Sequence, residues 1–368
     1  MANSTASPAA ALRICWTTVY AVYVKPLARQ DLHHILNRTL ELWELVRGKR
    51  IFLTGATGFF GKWLLESLDY CNLALDLDLS ATVLCRDPQA FKNRMPHLAS
   101  VCSIHFLEGD VRRFSFPPGS FDYVIHAAAS TNDSGDPLDL LSTIVDGTRH
   151  TLQFATACKA TRFLFVSSGA VYGPQPESIS HIPEEYLGGP AWLLRNAAYA
   201  EGKRVAEQIC ALYAHTCNTR ISIARCFAFV GPHLPLDQHF AIGNFIGDAL
   251  VGRDLHIRGD GTAVRSYLYT ADLTIWLWTL LLGRPEGLPN PAVLNVGSGA
   301  PIDIRSLAYL VRDIINPALK VHVAMEPVPG APRLQYVPDV CRAAECLGLR
   351  PTIPLDEAIR RTAEWYMD

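Results

Sequence analysis

The chain carries no surplus of charge of either sign. Its 33 basic and 35 acidic residues leave a formal net charge of -2, so the electrostatic footprint of a nucleic-acid or anionic-membrane partner is missing and a small-molecule partner is expected. Patterned cysteine is missing as well. Ten cysteines are present, but none forms a CxxC pair or a His/Cys group at zinc-ligand spacing, so they read as reduced thiols and no metal is expected. Long apolar runs are scarce. The longest uncharged stretch near the start, Ile14 to Val24, is too short to span a bilayer, and its Thr and Tyr content is unlike a signal-peptide core. Internal repeats and low-complexity tracts are lacking too. These absences predict a soluble, cytoplasmic protein with neither a membrane nor a nucleic acid as partner.

What is present is a large apolar content. At 368 residues and 49% hydrophobic, the chain exceeds one ordinary hydrophobic core, which predicts a large domain with a smaller lobe. Residues 1–28, which begin Ser/Ala/Pro-rich and show no period, read as a loosely attached N-terminal extension. Within 29–48, Leu32, Ile35, Leu36, Leu40, Trp43 and Val46 recur at near-helical spacing and predict an amphipathic packing helix. From Arg50 onward, strand-like runs at 50–54, 81–85, 104–108, 123–126, 163–167 and 222–225 alternate with helical stretches around 61–70, 140–158 and 199–217. Such alternation predicts an α/β fold: a Rossmann-like, doubly wound parallel sheet over 49–231. Residues 232–368, richer in Pro and Gly, are expected to form mainly a mixed α/β substrate-binding lobe, with 292–297 returning to the sheet.

The stretch IFLTGATGFFGKWLLESL, from residue 51, places Gly55, Gly58 and Gly61 where a strand gives way to a helix. Glycines there let the backbone turn tightly and approach a pyrophosphate, whose charge is met by the free N–H groups of the helix start. The turn residues Gly55, Thr57, Gly58, Phe59, Phe60 and Gly61 are therefore candidate contacts for a dinucleotide. Asp110 and Val111 follow one predicted strand, where a carboxylate could take the adenine amino group. Ala127, Ala128 and Ala129 end another and leave room for the cofactor. The second strand ends at Arg86-Asp87. The arginine suits the 2′-phosphate of NADP and the aspartate the 2′-OH of NAD, so the choice between NAD and NADP stays open.

Two further stretches carry reaction chemistry. In FLFVSSGAVYG, Ser168 ends a predicted strand on the same carboxyl edge as the glycine turn. In NAAYAEGKRVAEQ, Tyr199 and Lys203 are spaced i, i+4 and share a helix face. A lysine ammonium near a phenol is expected to lower the phenol pKa towards working pH, so that Tyr199 can act as a general base while Ser168 orients the substrate oxygen. With hydride leaving the carbinol carbon for a nicotinamide, that set oxidises an alcohol to a ketone.

The combination resembles the extended short-chain dehydrogenase/reductase family, and within it the nucleotide-sugar epimerase/dehydratase branch, over about residues 49–367. RCFAFVGP at 225–232, GDGTAVRSYLYTADL, LNVGSGAPIDIRSL and the closing LGLRPTIPLDEAIRRTAEWY are similar to that branch's RxFNxxGP, GDGxxxRDFxHVxD, NVGSG and LGWxPxxxLExGLxxTxxWY segments. The resemblance implies NAD(P) on the glycine turn, Tyr199 as base, Lys203 on the nicotinamide ribose and Ser168 as the catalytic hydroxyl. It also implies a nucleotide-diphosphate sugar as partner, with Arg265, and with it Arg333, on the diphosphate, and a homodimer built from the Tyr199 helix and the 140–158 helix. Departures narrow the activity. Dehydratases of the branch carry Asp-Glu after the hydroxyl and its decarboxylases a glutamate at the second position, whereas this chain has Gly169 and Ala170; Ala228 replaces a substrate-facing asparagine. What remains suffices for epimerisation through a transient 4-keto sugar, the expected activity. Reduction of a 4-ketosugar by NADPH is the alternative, and dehydration a weaker one.

Overall fold

Arg50–Thr54 is buried along nearly its whole length, as befits a parallel strand covered by helices on both faces. In the computed structural model of the protein, which describes residues 24–129, 135–238, 240–283 and 287–367, this strand, β1, lies inside a seven-stranded sheet, third from one edge. The first half of the chain runs α1 (Arg29–Trp43), β1, α2 (Phe59–Leu75), β2 (Ser80–Cys85), α3 (Pro88–Arg94), α4 (Pro96–Ala99), β3 (Ile104–Glu108), β4 (Tyr123–His126), α5 (Pro137–Ala157), β5 (Arg162–Ser168), α6 (Ala198–Thr216) and β6 (Arg220–Cys226). The second half contributes β7 (Phe229–Val230), α7 (Ala241–Leu250), β8 (Leu255–Ile257), β9 (Val264–Arg265), β10 (Leu268–Tyr269), α8 (Thr270–Leu282), β11 (Ala292–Val296), β12 (Ile302–Asp303), α9 (Ile304–Ile315), β13 (Val321–Val323), β14 (Gln335–Tyr336), α10 (Cys341–Leu347) and α11 (Leu355–Met367).

The sheet order is β11-β6-β5-β4-β1-β2-β3, and every neighbouring pair is parallel. This is the doubly wound order 3-2-1-4-5-6 with one strand added, and its crevice lies where the winding reverses, between the carboxyl ends of β1 and β4. Short pairings β7/β10, β8/β13 and β12-β9-β14 organise the later residues beyond that edge. No helix among the described residues is long and apolar enough to cross a membrane.

Two expectations need correction. The stripe of α1 buries Leu32, Ile35, Leu36, Thr39 and Trp43, while Leu40 is half exposed. Thr39 takes the place foreseen for an apolar side chain because its hydroxyl donates to the Ile35 carbonyl at 2.6 Å and accepts from Trp43 Nε1 at 2.8 Å, leaving no unpaired polar atom. The N-terminal extension falls mostly outside the described residues, but its last part, 24–28, is docked rather than loose. Leu27 is buried, its N–H donates to Glu66 Oε2 at 2.6 Å, and the Pro26 carbonyl accepts from Trp365 Nε1 at 3.0 Å.

Candidate active site

The turn after β1 is shaped by contacts that only glycine permits. Gly55 has φ +74°, and a Cβ there would stand 2.4 Å from the Ala127 carbonyl group, so β1 and β4 approach backbone to backbone at the crevice. Gly61, inside the first turn of α2, would place a Cβ 2.2 Å from Ala56 Cα. Gly58 differs. It is the exposed N-cap of α2, no side chain caps the helix start, and a Cβ would touch only the Gly55 carbonyl oxygen at 3.3 Å. The first N–H groups of α2 thus face outward beside a residue without a side chain, and a dinucleotide pyrophosphate fits that cradle. Thr57 is exposed, whereas Phe59 and Phe60 are half-buried, the latter edge-on to Phe229 at 5.1 Å.

The flanking residues are more committed than the sequence suggested. Asp110 is gripped by Arg112, which donates from Nε at 2.9 Å and Nη2 at 2.6 Å and also reaches Asp139 at 2.6 Å. That guanidinium holds the Asp110 carboxyl down at about 2 and uses acceptor sites an adenine would need. Val111 is buried against Gly147 of α5. At the end of β2, Asp87 caps α3, accepting from Ala90 N–H at 2.8 Å, while Arg86 is exposed.

On the other side of the crevice the register of β4 on β5, His126 level with Phe165, carries Ala127, Ala128 and Ala129 alongside Ser167 and Ser168. Tyr199 packs on the same apolar cluster as Ala128 and Ala129. Lys203, one turn on along α6, is 2% exposed; its Nζ donates to the Val166 carbonyl at 2.7 Å and lies 4.7 Å from the Phe165 ring centroid and 5.9 Å from that of Tyr199. Ser168, Tyr199 and Lys203 therefore meet at the carboxyl edge of the sheet, beside the glycine turn. Beneath them His126 is locked as a neutral ring. Thr148 gives its one proton to the Ile144 carbonyl at 2.7 Å, so it accepts from His126 Nε2 at 3.0 Å, and Nδ1 accepts from Thr54 Oγ1 at 2.7 Å. Burial, with Lys203 nearby, pushes that imidazole down to about 3.

One electrostatic expectation fails. Burial pushes the Tyr199 phenol up to about 12, opposed by a hydrogen bond from Ser168, and pushes Lys203 down to about 8. The ammonium spends itself on Val166, so desolvation outweighs it at the phenol.

Several residues escaped the sequence reading. Glu207, on α6, accepts from Ser167 Oγ at 2.5 Å and from the Arg225 fork, with Nη2 at 2.7 Å; Arg225 also donates to the Tyr172 hydroxyl at 2.8 Å. This partly buried ion pair ties α6, β5 and β6 together under the site. Arg225 opens the RCFAFVGP segment and offered a signal; Glu207 offered none beyond its place on the Tyr199 helix. Tyr336, from β14, brings its hydroxyl over Gly169, where a Cβ would lie 2.6 Å from it. Arg265, on β9, donates to its neighbour's carbonyl at 2.8 Å, and its guanidinium lies 6.0 Å from the Tyr336 ring centroid. Arg333 is exposed, and its N–H donates to Glu177 Oε1 at 2.8 Å; among the described residues its side chain has no hydrogen-bond or ion-pair partner. Gly169 and Ala170 open a 3-10 turn after β5, and Ala228, half-buried, accepts from Leu268 N–H at 3.0 Å.

A family model described as the NAD dependent epimerase/dehydratase family matches residues 51–297. UDP-glucuronic acid decarboxylase 5 of Arabidopsis thaliana is 34% identical over 229 residues, 61% of this chain and 63% of that protein's length. UDP-glucuronic acid decarboxylase 6 of the same plant is 29% identical over 84% of this chain and 86% of its own. Among solved structures, a UDP-glucose 4-epimerase of Thermotoga maritima with UDP-glucose superposes with TM-score 0.71 at 21% identity, covering 86% of this chain and 98% of that one, a likeness of fold.

Proposed function

From the premise that the chain belongs to the NAD dependent epimerase/dehydratase family, we propose that it is a nucleotide-sugar epimerase acting through a transient 4-keto sugar. The observation that carries this reading is the meeting of Ser168, Tyr199 and Lys203 beside the glycine turn, next to Gly169 and Ala170, which bring no acid of their own. Gly55, Gly58, Gly61 and the start of α2 would hold the dinucleotide pyrophosphate, and Lys203, buried below, would face its ribose. The nicotinamide supplies the acceptor for the C4 hydride and its donor on return.

Within that frame Tyr199 takes the proton of the sugar C4 hydroxyl as phenolate and gives it back as phenol. Ser168 donates a hydrogen bond to the same oxygen and holds it in place. The sugar turns over between the two steps, so hydride returns to the opposite face and no cofactor is consumed. Arg265, with no anionic partner among the described residues, is the group for the substrate diphosphate. Homodimerisation through α5 and α6 goes with this reading, since Leu138, Val205 and Leu212 of those helices are exposed; light scattering of the purified protein tests it.

A second reading draws on the relatives named UDP-glucuronic acid decarboxylase. A ketone at C4 lies β to a C5 carboxylate and weakens its bond to the ring, so the same first step can end in loss of carbon dioxide. One experiment separates the outcomes: the protein, with NAD or with NADPH, is incubated with UDP-, GDP-, CDP- and dTDP-sugars, UDP-glucuronate and 4-keto sugars included, and the products are read by NMR and mass spectrometry. A C4 epimer without net cofactor use is expected. A decarboxylated product would replace the epimerase reading by the second, and stoichiometric consumption of NADPH would point to a 4-ketosugar reductase. Tyr199→Phe should lower turnover by roughly 10²–10⁴-fold; undiminished turnover would remove Tyr199 from the chemistry.

A further inference from the structure

Lys203 and Glu207 stand one helical turn apart on α6 and reach consecutive residues of one strand. Lys203 Nζ donates to the Val166 carbonyl at 2.7 Å, and Glu207 Oε1 accepts from Ser167 Oγ at 2.5 Å. Both side chains therefore lie on the face of α6 that covers the carboxyl end of β5, just before Ser168. On the neighbouring strand the register sets Arg225 level with Ser167. Its guanidinium forks onto Glu207, with Nε 3.1 Å from each carboxylate oxygen and Nη2 2.7 Å from Oε2. Two cations, Lys203 and Arg225, thus meet the same end of β5 where little water enters: Lys203 is buried, and the Arg225 and Glu207 side chains are 16% and 11% exposed.

The other titratable groups around Lys203 bring no charge to offset these cations. Tyr199 and Cys210 face it from α6, His126 from β4 and Cys226 from β6. Burial keeps the imidazole neutral, pushes the Tyr199 phenol and the Cys226 thiol up to about 12, and raises Cys210 as well. On the far side of Arg225, Glu184 offers only its backbone carbonyl, at 3.1 Å; its carboxylate accepts from Asn295 N–H at 2.9 Å and faces Arg342. The anion common to both cations is Glu207. We propose that Glu207 is a positioning residue of the site: held by Ser167 and Arg225, its carboxylate keeps the Lys203 ammonium charged and in place against the end of β5. Without that carboxylate Lys203 would face Arg225 alone and give up its proton more easily. Without Arg225 the carboxylate would be uncompensated and would hold the Lys203 proton more firmly. The task that the charge serves, facing the ribose beside Tyr199, rests on the epimerase reading above.

The test follows the Lys203 ammonium in the full chain. With lysines carrying 13C at Cε, NMR reads their titration between pH 6 and 11, the Lys203 signal being assigned by its absence from Lys203→Met. The wild type should titrate at about 8. Glu207→Gln, which keeps the shape and an acceptor for Ser167, should lower that midpoint by about one pH unit, and Arg225→Met should raise it by about as much. Together they should bring it back to within about 0.3 of the wild type. Loosened packing alone would not move the two single variants in opposite directions. An unmoved midpoint in Glu207→Gln overturns the proposal, and so does a downward shift in Arg225→Met. Should a single variant misfold around its stranded charge, Glu207→Asp, which draws the carboxylate back by one methylene, should lower the midpoint by about half a unit, and no shift there overturns the proposal too. On whichever sugar the wild type turns over, the alkaline limb of kcat/KM should follow these midpoints; a limb that ignores them overturns the positioning role. A wild type inert on every sugar overturns the epimerase reading alone, because the midpoints are read without sugar or cofactor and judge Glu207 separately.

Discussion

Lys203, proposed above to face the cofactor ribose, shows what a buried charge costs the fold. With 2% of its surface exposed, it holds its charge on one carbonyl and the face of Phe165, and burial lowers its pKa from 10.5 to about 8. The unfolded chain keeps that proton up to about 10.4, so between about 8 and that value the unfolded state binds more protons than the folded one and stability climbs with pH. Below about 8 the cost is present in full. At about 1.36 kcal/mol per pH unit it amounts to roughly 3 kcal/mol. Lys203→Met removes the buried charge, loses the hydrogen bond to Val166, and should raise stability by a net ~1–2 kcal/mol at pH 7, a gain that fades as pH approaches 10. Urea melts at pH 7 and 9.5 would register both, alongside turnover that is largely lost. A variant less stable than wild type at pH 7 would mean that the ion–carbonyl contact outweighs desolvation.

The strand-turn-helix from β1 to α2 divides its glycines by task. Gly55 and Gly61 are demanded by backbone contacts at 2.4 and 2.2 Å, whereas Gly58 is demanded by nothing in the fold. Gly61→Ala should therefore cost about 1–3 kcal/mol through overpacking. Gly58→Ala should cost only about 0.5–1 kcal/mol, alanine being a poorer N-cap than glycine, yet weaken dinucleotide binding about tenfold or more; calorimetric titration with NAD beside a thermal melt distinguishes the two. The neighbouring corner bears on cofactor choice. Because Asp87 is spent capping α3, Arg86→Ala should weaken NADP binding by about tenfold and leave NAD binding nearly unchanged. Such elements were legible because their signals are local. β3 and β4 span the very residues that their apolar runs mark, and α2, α5 and α6 agree with their helical periods to within a few residues at each end. The two-residue pairings β7/β10 and β12-β9-β14 were illegible, since nothing in a dipeptide such as Gln335-Tyr336 has a period and only its neighbours make it a strand. Tyr336 went unseen for that reason, while Ser168, Tyr199 and Lys203 sit on the strand and helix expected for them, because those elements are long and regular.

At the scale of the whole molecule, one buried carboxylate joins both ends of the described chain to the short β7/β10 pairing. Asp31, in the first turn of α1, is 1% exposed. It accepts from Tyr269 Oη at 2.6 Å and from Arg361 Nη1, on α11, at 2.7 Å across 330 residues of sequence. α1 in turn packs on α8, a helix buried nearly all round, with Trp43 and Trp278 5.0 Å apart between centroids. Burial raises the Asp31 pKa in spite of both partners, so the ionised carboxylate is tolerated rather than favoured. Breaking such a pair from one side costs more than the pair contributes, because an uncompensated charge stays behind. Arg361→Leu should therefore cost about 3 kcal/mol at pH 8, and more than Asp31→Asn, which leaves an exposed-side guanidinium that water can reach. The sign of the pH dependence follows. A carboxyl whose folded pKa lies above its unfolded value contributes stability at low pH that is lost as pH rises through the folded pKa. The deficit of Arg361→Leu relative to wild type should thus shrink as pH falls from 8 towards 5 and Asp31 takes up its proton. Urea melts of both variants at the two pH values measure this, with turnover per folded molecule expected unchanged. A deficit that is equal at both pH values would assign the loss to packing around α11 rather than to the stranded charge.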